Sequence, residues 1–76
     1  MMHTAYVLIS CVMGEEHAVL DKLKQIPQIK TALITFDEYD LVAKIQADSP
    51  QEMAQIISSQ IRQIQKIRST ITLHVA

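Results

Sequence analysis

The chain has 76 residues with 7 basic side chains against 8 acidic ones, a formal net charge of −1; this balance lacks the electrostatic footprint of a free-standing DNA or RNA binder. Hydrophobic residues make up 49% with a single Gly and two Pro, which excludes disorder and low complexity. The length fits one domain over residues 1–76, but a chain this short buries only roughly 60% of its extended surface and gains from association.

The first run, "TAYVLISCV" from Thr4 to Val12, is β-rich and predicts a strand. It contains the only cysteine, Cys11, so an internal disulfide or a Cys-x-x-Cys site is excluded, and its apolar setting reads as a buried, inert thiol. The start lacks a basic n-region and its apolar run is shorter than the ~20 residues of a membrane span, so a cytoplasmic protein is expected, with no membrane partner. Gly14 breaks the strand. "EEHAVLDKLKQI" then places Val19, Leu20, Leu23 and Ile26 at helical spacing, with Glu15 and Glu16 in the first turn and Lys22 and Lys24 near the end, until Pro27 stops it. "IKTALITF" is the second strand. Tyr39 to Ala47 alternates strictly and is the third. "SPQE" follows as a capping box with Ser49 at N-cap, Pro50 at N1 and Glu52 at N3, opening a helix whose stripe is Met53, Ile56, Ile57, Ile61 and Ile64. "IRSTITLHV" is the last strand.

"QIPQIKTALIT" (25–35) resembles "QIQKIRSTITL" (63–73) at a constant offset of 38, the mark of a duplicated supersecondary unit. The order β-α-β-β-α-β predicts an α+β, ferredoxin-like fold: a four-stranded antiparallel sheet with both helices on one face and strands 1 and 3 central. Asp37 and Glu38 are read as a tight hairpin link, with a positive φ expected at Asp37. Strict alternation assigns Tyr6, Leu8, Ser10, Ala32, Ile34, Phe36, Val42, Lys44, Thr70 and Thr72 to the open face. Leu8, Ile34 and Val42 would be its apolar centre, and sheet-on-sheet dimerisation would cover them.

Three carboxylates surround one tyrosine in "FDEYD". Acid-base chemistry needs two acids held at a pocket with separated pKa values, and the adjacent turn residues Asp37 and Glu38 do not provide that. Asp40, at the start of a strand, is a candidate ligand or structural partner. His3, His17 and His74 lack metal-ligand spacing, so no metal is expected, and no phosphate loop or nucleophile elbow implies a cofactor. Thr70 and Thr72 share a face opposite Ser69; they read as ordinary β-branched strand residues or as hydroxyls for a small carboxylate. RNA-recognition motifs need stacking aromatics on strands 1 and 3, and strand 3 offers Asp40, Val42 and Lys44.

"VMGEEHAVLDKLKQIPQI", the Tyr39-Asp40 pair before "LVAKI", and the closing Ser69-Thr70-Ile71-Thr72 together resemble the effector-binding RAM module (regulation of amino acid metabolism) of the Lrp/AsnC regulators, over nearly the whole chain. Asp37 stands where that motif has a glycine. The chain resembles the stand-alone kind, without a helix-turn-helix domain. The resemblance implies a non-enzymatic module with no cofactor that dimerises through its sheets. Dimers would assemble into octamer-like rings and bind a free amino acid in clefts lined by Asp37, Tyr39, Asp40, Ser69, Thr70 and Thr72. Full-length Lrp/AsnC-type regulators are the partners implied. The alternatives are a small dimeric α+β-barrel enzyme, with His74 as its one weak catalytic candidate, and a ligand-free oligomerisation module.

Overall fold

The computed structural model describes residues 2–75. Strand β1 (His3–Cys11) leads to helix α1 (Glu16–Lys24), β2 (Ile29–Ile34), β3 (Leu41–Ala47), helix α2 (Pro50–Ile56) and β4 (Ile67–Val75). The four strands form one sheet in the order β2-β3-β1-β4, every pair antiparallel. This is the split β-α-β arrangement expected from the sequence, with β1 and β3 central.

The core lies on one face. Alternate residues of the two central strands, Ala5, Val7, Ile9 and Cys11 with Leu41, Ala43, Ile45 and Ala47, meet Val19, Leu23 and Ile26 of the first helical segment and Met53, Ile56, Ile57 and Ile61 of the second. The register sets Ala5 against Ile45 and Val7 against Ala43, so large and small side chains interleave. Ser49 Oγ accepts the Glu52 N–H at 3.0 Å, and Glu52 Oε1 accepts from Asp48 N at 3.0 Å. The predicted capping box therefore forms, with the glutamate reaching one residue past the N-cap. Helix α2 then widens into a π turn over Ile57–Ile61, closed by Arg62 N–H donating to Ile57 O at 3.0 Å. That turn was not expected from the sequence; it keeps Ile57 and Ile61 both in the core.

Two β-bulges correct the predicted open face. In the β2–β3 ladder Ile29 faces Ile45 and Thr31 faces Lys44, so Lys30 is an extra residue. In the β1–β4 ladder Ile67 faces Cys11 and Ser69 faces Ser10, which makes Arg68 extra. One extra residue inverts every side chain beyond it. Ala32 and Ile34 therefore pack against the core, and Leu33 takes the open position opposite Val42. Thr70 and Thr72, paired with Ile9 and Val7, share the helix side, and Ile71 and Leu73 share the open side with Leu8 and Tyr6. Phe36 lies beyond β2, fully exposed in the connection to β3. The apolar open face is thus Tyr6, Leu8, Leu33, Val42, Ile71 and Leu73. Leu8 and Val42 were placed there correctly; Ile34 was not.

Candidate functional site

The β2–β3 connection runs from Thr35 to Asp40 and is longer than the tight hairpin expected from the sequence. Thr35 N–H donates to Asp40 O at 2.8 Å, and the Thr35 hydroxyl donates to Tyr39 O. Among the described residues, the positive φ values belong to Gly14 (87°) and Lys66 (79°), so Asp37 does not adopt the left-handed conformation anticipated for it. Asp37 and Glu38 are exposed and Tyr39 is half-buried.

Asp40 splices the strand ends. Its N–H donates to Ile9 O at 2.9 Å, and its Oδ2 accepts the Cys11 N–H at 2.8 Å. The β1–β3 pairing ends at Ile9 and Leu41, and the carboxylate supplies the acceptor for the Cys11 N–H just beyond that end. Of the two roles open to Asp40 from sequence, the structural one is the one visible. Beside it, burial pushes the Cys11 thiol up from its ordinary value, and the charges of Asp40, Glu16 and Glu15 push it further.

At the head of β4 a surface cleft of about 310 Å³ is lined by Arg62, Ile67, Arg68, Ser69 and Thr70. Arg62 Nε donates to Thr70 Oγ1 at 3.4 Å. Two of the expected hydroxyls, Ser69 and Thr70, thus meet in one cleft, even though they point to opposite sides of the strand. Thr72 lies further along, opposite Val7. Asp37, Tyr39 and Asp40 do not line this cleft; β1 stands between their strand and β4. The two arginines were not picked out as site residues from the sequence. Arg68 was visible only as the counterpart of Lys30 in the repeat, and Arg62 reaches β4 only because the π turn ends beside it.

A wider groove, about 610 Å³, separates α1 from the end of α2 and carries Glu15, Lys22, Gln60, Gln63 and Lys66. Among the described residues no polar or charged side chain is buried, and no cluster of three metal-binding side chains occurs. His74 is exposed. Among the described residues no helix is long and apolar enough to cross a membrane.

The molecule thus combines one helix-covered sheet face, one aliphatic open face and polar clefts at the strand ends in an α+β, ferredoxin-like domain. The family model described as the Lrp/AsnC ligand binding domain matches residues 4–76, and the chain belongs to that family. Hypothetical protein PHS023 from Pyrococcus horikoshii is similar at 33% identity, with a TM-score of 0.92 over 100% of this chain and 90% of that one. E. coli AsnC shares the fold at 23% identity and TM-score 0.91, this chain covering 96% of its own length and 50% of AsnC. A transcriptional regulator from Neisseria meningitidis, in complex with L-Met, shares the fold at 8% identity and TM-score 0.86, over 97% of this chain and 49% of that one. No curated protein matches the chain.

Proposed function

We propose that the chain is an amino-acid-sensing module of the Lrp/AsnC regulators, acting in the cytoplasm by binding rather than catalysis. The observation that carries this is the ligand-binding-domain match across residues 4–76. The geometry supports it in two ways. The open face presents Leu33, Ile71 and Leu73 at 55%, 44% and 50% exposure, a contiguous apolar surface of the sort that a second copy covers face to face. The acidic loop around Asp37 and the hydroxyls of β4 belong to separate surfaces of one chain. A site using both is completed between copies, as dimers join into a ring. A regulator of the same fold in complex with L-Met supports a free amino acid as the ligand class. The chain then influences transcription through mixed assembly with full-length regulators or by competing for their effector.

A melting screen of the common amino acids tests this. A ligand that binds only the folded assembly stabilises it by about 2.7 kcal/mol at a hundredfold excess over its dissociation constant. One or a few amino acids are expected to act. Silence from all of them at millimolar concentration would leave a ligand-free oligomerisation module. Light scattering should show an assembly that Leu73→Lys splits, since an unpaired charge in a buried interface is costly. A folded wild-type monomer would sink the dimer.

A further inference from the structure

We infer that Arg62 and Arg68 form a carboxylate-recognition subsite in the cleft at the head of β4, with Ser69 and Thr70 as its hydroxyl donors. For the identity of the natural ligand, an amino acid, the inference rests on the function proposed above.

The two guanidiniums arrive from different elements for different reasons. Arg62 follows the π turn, and its Nε–H is directed at Thr70 Oγ1, 3.4 Å away. Arg68 is the extra residue of the β4 bulge. A cation at a helix C-terminus is explained by the helix dipole alone. That accounts for Arg62, and an edge strand accounts for a charge at Arg68, but neither accounts for the two lining one cleft. Among the described residues neither guanidinium has a carboxylate within ion-pairing distance, and no acidic side chain lines the cleft. Two permanently charged groups lining one cleft favour an anion bound between them.

Shape and chemistry select a carboxylate. The planar guanidinium fork matches two carboxylate oxygens, and hydroxyls of Ser69 and Thr70 add neutral donors to the same charge. A cleft of about 310 Å³ has room for an amino-acid-sized ligand, and Ile67 contributes an apolar wall. The subsite holds the carboxylate end only. No carboxylate to pair with an ammonium lines it, so a counter-charge for the amino group is met from elsewhere, consistent with a site that a second copy completes.

Melting curves of the wild type and of Arg62→Gln/Arg68→Gln, with sodium malonate and with sodium chloride at matched ionic strength, isolate the carboxylate effect from general salt effects. Both arginines are exposed, so the variant should fold. Malonate is expected to stabilise the wild type beyond chloride. The variant should lose that difference, with affinity weakened ~10-fold or more, as expected for lost charge-assisted hydrogen bonds. Any amino acid that stabilises the wild type should weaken likewise, and its decarboxylated amine should be inert. A malonate effect that depends on the arginines, with no amino acid active, sustains the subsite and defeats amino-acid sensing. An amino acid acting equally on both proteins overturns the subsite and spares the sensing function. Malonate acting equally on both, or not at all, also overturns it. A variant that keeps its ligand response and loses assembly would assign the arginines to the Asp37–Glu38 loop of a neighbouring copy, overturning it too.

Discussion

The two halves of the chain are copies in layout and differ in what they do with it. Each runs strand, helix, strand, and each places a basic bulge residue, Lys30 or Arg68, at the same point of its second strand, 38 residues apart. In the first half α1 lies over β2, and the inverted strand sends Ala32 and Ile34 into the core. In the second half α2 packs on β3 and β1, and no helix covers β4 to a comparable extent. The equivalent positions there are Thr70 and Thr72. The same device thus completes a core in one copy and leaves a half-covered polar strand in the other, which is where the arginine cleft forms. The repeat supplies the frame; divergence on the uncovered side leaves the arginine-lined cleft open.

Truncating the residues that the bulges turn inward should separate these roles most sharply. Ile34→Ala removes apolar contact from the core, and at fixed protein concentration a loss of about 2 kcal/mol is expected in urea unfolding. Thr72→Ala, at the equivalent position of β4, should cost nearer ~0.5 kcal/mol. Equal destabilisation by both substitutions would contradict the division of roles.

The helix starts differ as well. Ser49 accepts the Glu52 N–H, whereas Glu15, the N-cap of α1, makes no side-chain capping bond. Ser49→Ala should cost ~1 kcal/mol, and Glu15→Ala should stay within about 0.5 kcal/mol. Matching losses in denaturant titrations would mean that α1 is capped after all.

The smallest effect concerns Cys11, which falls at the repeat position of Ser49. Its folded-state pKa is raised by burial first and by Asp40, Glu16 and Glu15 after that. The folded chain therefore keeps this proton at a pH where the unfolded chain has released it. The contribution to stability is fully present below the unfolded thiol value of about 8.5 and is lost as pH rises through the higher folded value. Cys11→Ala should flatten the alkaline decline relative to the wild type. An unchanged slope would assign it to other groups.

The element order, the helix stripes, the capping box and the central strands were legible because each rests on local spacing. The bulges were not, since an inserted residue leaves no mark on composition and strict alternation reads straight through it. That single blindness misplaced Ala32, Ile34, Thr70 and Thr72 together. The repeat held a clue, because Lys30 and Arg68 occupy one position in it. The effector-site residues implied by resemblance divide accordingly: Ser69 and Thr70 meet in a cleft, Asp40 is engaged with the backbone of Cys11, and Asp37 remains at an exposed loop. Arg62 was hidden because its position depends on a π turn.

The paired irregularities also govern how copies accumulate. The margins of the sheet are β2 and β4, and each carries an interrupted ladder with a cation at its broken point. Growth by adding strand to strand, the route to fibrils, meets the same obstacle on both flanks. Stacking on the aliphatic face has no such obstacle. Face-to-face pairing also uses up the one aliphatic surface that each copy has, so this contact closes on itself and does not propagate.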